Sequence, residues 1–166
     1  MDEELITEWF DRYADDIYRF LAYYTSSPDV EDLVQEVFIK AIDRFDSFKG
    51  NSSPKTWLFT IARNLAIDEA RKRKRQDWRK LINTYQSENE QSPEELYQLT
   101  ESKSQLYEAI HKLKPTYRDV IILRGIEELS IAEAADVLKW SENKVRVTFY
   151  RALKALKLKV GRVSYD

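Results

Sequence analysis

Apolar residues recur at three- and four-residue spacing along most of this chain, and polar runs interrupt the pattern at a few places. The series Leu5, Ile6, Trp9, Phe10, Tyr13, Ile17, Phe20, Leu21 and Tyr24, with acidic residues between, predicts an amphipathic helix ending near Ser26-Ser27-Pro28. Asp29 is a good N-cap, and Leu33, Val34, Val37, Phe38, Ala41, Ile42 and Phe45 then mark a second helix from about Val30 to Arg44. A polar loop, Gly50-Asn51-Ser52-Ser53, precedes a third. There Ser53 is placed to cap, and Pro54 stands in the first helical turn, where a missing N–H costs nothing. Trp57, Leu58, Ile61, Ala62, Leu65 and Ile67 make its buried stripe, and Lys55, Arg63, Asn64, Asp68, Arg71 and Lys72 are expected on the other side. This helix runs into five consecutive positive charges, Arg71 to Arg75.

After Trp78 the texture changes. Gln86 to Pro93 is polar, acidic and weakly periodic, which is linker composition. Helical spacing resumes after Pro93-Glu94-Glu95 with Leu96, Leu99, Leu106, Ile110 and Leu113, and Pro115 restarts the chain into a short, strongly apolar helix around Val120 to Leu123. Ser130 and Glu133 have the spacing of a capping box in front of Ala134, Ala135, Val137 and Leu138. Lys139-Trp140 is the expected turn, and Ser141 caps a last helix from Glu142 to about Val160. That helix is expected to bury Val145, Phe149, Ala152, Leu153 and Leu156 and to expose Asn143, Lys144, Arg146, Val147, Tyr150, Arg151 and Lys154. Two helices joined by a tight turn, the second basic outside, fit a helix-turn-helix that places its second helix in a DNA major groove; an ordinary helical hairpin is the alternative. The fold class is therefore all-α, with two small helical domains at 1–78 and 101–166 and a flexible acidic linker over 79–100.

Composition narrows the chemistry. The chain has 166 residues, no cysteine, one histidine and three glycines. Disulfides and thiolate metal sites are excluded, His111 alone makes neither a zinc site nor a catalytic triad, and its plainest reading is a solvated helix residue. No phosphate-cradling glycine loop is present, so an enzyme built on the 29 carboxylates finds no support. No metal, cofactor or small-molecule substrate is expected. No apolar run approaches the ~18 residues of a membrane span, and the acidic start Met1-Asp2-Glu3-Glu4 is unlike a signal peptide, so a cytoplasmic protein is expected.

The net charge of -2 conceals alternating blocks: residues 1–46 carry net -9, 47–80 net +7, 81–111 net -5 and 112–166 net +5. Two separated basic blocks suggest two nucleic-acid contacts, with acidic surfaces that discourage binding elsewhere or meet a basic protein. On the second predicted helix, Asp32, Gln35, Glu36, Ile39, Lys40 and Asp43 share one strip. Spacing alone leaves two readings, solvated surface or a docking face with Ile39 filling a pocket.

Three motifs together resemble the extracytoplasmic-function (group IV) sigma factors of bacterial RNA polymerase. Asp32-Leu33-Val34-Gln35-Glu36-Val37-Phe38 looks like that family's core-polymerase helix. Trp57 to Asn64, with Asp68 and Arg71, looks like its promoter-opening helix, and Ser130 to Leu156 like its terminal helix-turn-helix. The last departs from the common pattern, with Lys139 and Asn143 where glycines are usual and Lys144 where threonine is usual. The resemblance implies that Asp32, Gln35, Glu36 and Ile39 bind core polymerase through its beta-prime subunit, with the beta subunit a further partner. It implies that Asn51, Ser52 and Ser53, with Lys55, receive a base flipped from the minus-10 element, while Arg63, Asn64, Asp68, Arg71 and Lys72 hold neighbouring DNA. Ser141, Asn143, Lys144, Arg146, Val147, Tyr150 and Arg151 would read the minus-35 element. The implied partners are core RNA polymerase, promoter DNA and an anti-sigma factor, commonly membrane-bound; the linker would thread the RNA-exit path. A stand-alone helix-turn-helix regulator of duplex DNA is the competing reading, but it leaves the loop and the acidic strip without a role.

Overall fold

The computed structural model describes residues 2–25, 29–83 and 101–164. Among them every regular element is helical: α1 (Asp2–Tyr24), α2 (Val30–Asp43), α3 (Pro54–Asn83), α4 (Glu101–His111), α5 (Pro115–Val120), α6 (Ile131–Leu138) and α7 (Glu142–Ser164). A 3₁₀ turn over Phe45–Ser47 follows α2, and a π-helical turn over Ile121–Ile126 continues α5. The expected end of the first helix at Ser26-Ser27-Pro28, the Gln86–Pro93 linker and the restart at Pro93-Glu94-Glu95 lie outside the described residues. The third helix continues to Asn83, past the boundary expected at residue 78.

Three caps follow their side-chain chemistry, whereas Asp29 stands at the N-cap of α2 without the expected side-chain cap hydrogen bond. Ser53 Oγ accepts from Thr56 N–H (3.1 Å), and Ser141 Oγ accepts from Lys144 N–H (3.1 Å). Ser130 and Glu133 form a complete capping box: Ser130 N–H donates to Glu133 Oε1 (2.9 Å) and Glu133 N–H to Ser130 Oγ (3.0 Å). The backbone bond from Ser130 holds the Glu133 carboxyl below its ordinary range, which keeps it ionised at the positive end of α6. At the other end of α6, Lys139 takes a left-handed conformation (φ 58°, ψ 42°), and Trp140 N–H closes back on Ala135 O at 3.0 Å. This is the turn geometry that glycine ordinarily serves. A lysine there bears a Cβ clash of about 1–2 kcal/mol, so Lys139→Gly is expected to raise stability by roughly 0.5–1 kcal/mol after the extra freedom of glycine in the unfolded chain is subtracted. A higher urea midpoint at constant slope would show it; an unchanged midpoint would contradict it.

The first three helices pack into a bundle around Ile17, Phe20, Leu21, Val37, Leu58, Phe59 and Ala62, all fully or almost fully buried. Phe20 and Phe59 meet edge to face at 5.2 Å, and Trp9 collects Phe45, Phe48 and Trp57 around the exit of α2. In the second unit Ile110, Val120, Ile122, Leu123, Leu129 and Val145 form the centre. The two units are not separate in space. α3 also packs against α6, and α1 against α4 and the π turn, so the buried residues make one continuous cluster.

That arrangement corrects several sequence expectations. Thr56, Phe59 and Ala66 are buried although they lie off the expected stripe of α3, because the helix is covered on more than one side. Ile42 is 49 % exposed rather than core, and Leu153 on α7 is 43 % exposed. His111 is not a solvated residue: its ring lies 4.3 Å from Tyr107, and burial, with the Arg118 charge, lowers its pKa to about 4.

Candidate nucleic-acid interface

The loop before α3 and the exposed side of that helix form the first candidate surface. Gly50 has φ +74°, a left-handed position that only glycine takes without strain, and it turns the chain so that Asn51 stands exposed and Ser52 half-buried ahead of the cap. Ser53 is occupied locally, since its hydroxyl caps Thr56 N–H and lies 2.9 Å from the Thr56 hydroxyl. Further along α3, Asn64, Asp68, Arg71 and Lys72 are exposed. A shallow cleft between α2 and α3 brings Lys40 and Arg44 beside Asn64, Asp68 and Arg71, and a second one joins Glu36 to Asp68, Arg71, Lys72 and Arg75. Neither Lys40 nor Arg44 was among the expected DNA contacts. Their signal lay only in spatial proximity, as α2 and α3 run side by side.

Two expected residues of this surface are drawn inward. Lys55 Nζ lies 3.9 Å from Asp16 Oδ2 and 5.8 Å from the Phe59 ring centre. Arg63 turns away from the other DNA candidates: its Nη2 donates to Asp119 Oδ2 at 3.1 Å, with the two side chains 21 % and 6 % exposed. Burial works against the Arg63 charge, but the Asp119 carboxylate more than offsets it, and the guanidinium is held firmly protonated.

On α2, Asp32, Gln35 and Glu36 are exposed and Ile39 is 57 % exposed, while Leu33, Val34, Val37 and Phe38 face the core. Ile42, three residues on, joins Ile39 and makes the strip more apolar than its sequence reading. A strip of two aliphatics among acids, on a helix already anchored by its other face, is suited to docking against a basic protein surface.

The third surface is α7. Ser141, Asn143, Lys144, Arg146, Val147, Tyr150 and Arg151 are all exposed, and Val145 and Ala152 fix the helix to the core from the opposite side. Lys144 Nζ lies over the Trp140 ring at 4.3 Å and Lys154 Nζ over Tyr150 at 4.7 Å. Both ammonium groups therefore have aromatic partners, whereas Arg146 projects without one among the described contacts. Within the described residues no helix is long and apolar enough to cross a membrane, and no cluster of three metal-ligating side chains occurs.

Comparison with known proteins identifies both helical units. The family model for sigma-70 region 2 matches residues 9–76, and that for sigma-70 region 4 matches residues 103–156. The chain is 39% identical over 165 residues to the ECF RNA polymerase sigma factor SigX of Bacillus subtilis, covering 93% of this chain and 83% of that protein. It is 32% identical over 158 residues to the ECF RNA polymerase sigma-E factor of Escherichia coli, covering 90% and 83%. Among solved structures it is similar to the sigma factor RpoE of Bartonella quintana, crystallised with the anti-sigma factor NepR. The TM-score is 0.77 at 26% identity, over 93% of this chain and 96% of that one. With both regions present in order, and with these relatives matched over more than four-fifths of their length, the chain belongs to the extracytoplasmic-function sigma factors, the promoter-recognition subunits of bacterial RNA polymerase.

Proposed function

We propose that the three surfaces divide the work of initiation as follows. The strip Asp32, Gln35, Glu36 and Ile39, extended by Ile42, docks on the beta-prime subunit of core polymerase, with further contacts to beta. Asn51 and Ser52 then take a base extruded from the non-template strand of the minus-10 element, and small polar groups at a rigid helix start suit that task. Capture offsets the few kcal/mol that unstacking costs. Ser53 and Lys55 support the loop. Asn64, Asp68, Arg71 and Lys72 hold the flanking strand, and α7 enters the minus-35 major groove with Arg146 addressing guanine and Asn143 adenine. The domain limits of 1–78 and 101–166, joined by the linker, belong to the same reading. So do a cytoplasmic location and an anti-sigma partner, by likeness to the relative crystallised with NepR. The chain makes no covalent bonds itself; the polymerase supplies the chemistry.

One observation carries the proposal. The polar side chains expected to meet DNA on α7 stand exposed on a helix whose opposite side is locked into the core, which is how a reading helix is presented. The test is run-off transcription from a suitable promoter with purified chain and core polymerase. Transcripts are expected only when both are present, and tight operator binding by the chain alone would favour a stand-alone regulator. Arg146→Ala should cost about 1–3 kcal/mol at one base pair of the minus-35 element and relax preference there. A uniform loss on every sequence would recast Arg146 as a phosphate contact. Asn51→Ala with Ser52→Ala should slow strand opening, read as permanganate reactivity, more than it weakens upstream duplex binding. Opening at the normal rate would refute base capture.

A further inference from the structure

The last turns of α3 project from the bundle. Ala66 is the last fully buried residue of that helix, and every residue from Lys74 to Ile82 is exposed, which leaves about 13 Å of helix standing clear. On this tip Trp78, Leu81 and Ile82 are 65 %, 63 % and 65 % exposed. Their spacing of three and four residues puts them on one side, and Lys74 and Arg75 continue that side one turn back. Arg73 reaches Glu69 at 4.0 Å, whereas Lys74, Arg75 and Arg79 have no carboxylate partner among the described contacts. Asp77 is the single carboxylate of residues 71–83. None of Trp78, Leu81 and Ile82 belongs to the surfaces assigned above.

We propose that this tip binds the surface of an anionic phospholipid bilayer, with Trp78, Leu81 and Ile82 entering the boundary between headgroups and acyl chains while Lys74, Arg75 and Arg79 meet lipid phosphates. Aromatic and aliphatic side chains on one side of a helix, with cations beside them, are the composition of an interfacial helix. An exposed apolar patch rimmed by charge marks a contact with protein or membrane. DNA would reward the cations alone, since a phosphate backbone offers Leu81 and Ile82 nothing apolar to bury against. A second copy of the tip would set like charges against each other. A stable protein interface buries roughly 800 Å² on each partner, far more than one side of so short a tip presents. A bilayer sets no such threshold: it yields around a convex tip, and each cation near an anionic surface strengthens binding roughly fivefold. The indole of Trp78 suits that boundary, because its ring is apolar and its N–H can stay among the headgroups. No helix of the described residues is long and apolar enough to cross a membrane, so the attachment is to the surface and reversible.

The test is flotation of the full purified chain with vesicles of phosphatidylcholine and phosphatidylglycerol at about two to one, and with vesicles of phosphatidylcholine alone. The unaltered chain is expected to float with the anionic vesicles and to bind the neutral ones at least about tenfold more weakly. Two variants divide the tip. Trp78→Gln with Leu81→Gln and Ile82→Gln removes the apolar side chains but keeps good helix formers, and its urea midpoint is expected to stay in place because none of the three enters the core. Lys74→Gln with Arg75→Gln and Arg79→Gln removes the cations. Each variant is expected to bind anionic vesicles at least about tenfold more weakly than the unaltered chain. A chain that floats with neither vesicle, or equally with both, overturns the proposal, as does either variant if it keeps full binding. The other occupants have their own signatures. If the apolar variant loses affinity for a fluorescein-labelled single-stranded DNA oligonucleotide as steeply as for vesicles, the tip takes nucleic acid. If the unaltered chain sediments as a dimer, the apolar variant as a monomer, and neither floats, the tip takes a second copy. Both results overturn the assignment to lipid.

Discussion

Reversing two charges on α2, Asp32→Lys with Glu36→Lys, is expected to weaken binding to core RNA polymerase by about 2–5 kcal/mol, roughly 30-fold to several-thousand-fold. Both side chains are exposed, and no hydrogen bond or ion pair to either occurs among the described contacts, so the fold should survive. Asp32 lies in the first turn of α2, where its negative charge complements the helix dipole. Its reversal costs about 0.3–1 kcal/mol locally, well below the expected binding effect. The two contributions separate experimentally: co-purification with core reports the first, and a urea titration of the isolated chain reports the second. Normal co-purification would reduce the strip to solvated surface, which spacing alone had allowed. Ile39→Ala and Ile42→Ala should each act in the same direction to a smaller extent, because an aliphatic side chain half-exposed in the free chain has only part of its area left to bury on docking.

The second large effect concerns the core. Phe59→Ala should lower the stability of the chain by about 3–5 kcal/mol, since a fully buried ring is removed and its edge-to-face contact with Phe20 is lost with it. For a slope near 2 kcal/mol/M, the urea midpoint would fall by about 1.5–2.5 M. Domains of ordinary size have only about 5–15 kcal/mol in total, so a marginally folded variant is expected at physiological temperature. A loss below about 1 kcal/mol would mean that the ring is not held between α1 and α3. Phe59 is instructive because the apolar stripe of Trp57, Leu58, Ile61, Ala62 and Leu65 accounts for α3 without it. Its burial follows from α1 crossing on a second side.

The helices themselves were legible in the amino-acid order, for local reasons. Ser53, Ser130 and Ser141 cap the helices they precede because a hydroxyl one turn from an unpaired N–H needs no tertiary partner. Proline in the first turn at Pro54 and Pro115 acts over the same short range. The exposed side of α7 followed from period and charge, since one core opposes it. Leu153 was misplaced because a stripe read at three- and four-residue spacing is wider than the contact that α7 makes. Ile42 was misplaced because the chain leaves α2 through the 3₁₀ turn and carries Phe45, in its stead, towards Trp9.

The sequence by itself determined the all-helical class, the order of two units, the basic loop-and-helix surface and the reading helix, because caps, period and charge act within a few residues of one another. Only the tertiary structure decided that the two units close on each other. Arg63, which the helix period assigns to the exposed side with Asn64 and Arg71, is largely buried and paired with Asp119 of the other unit. Its partner Asp119 lies 56 residues away in sequence. The Arg19 partner Glu127 lies 108 residues away and reaches α1 only through the π turn. A pair of charges so far apart leaves no periodicity to read. Its existence depends on how two apolar faces meet, and that is settled by packing rather than by local order.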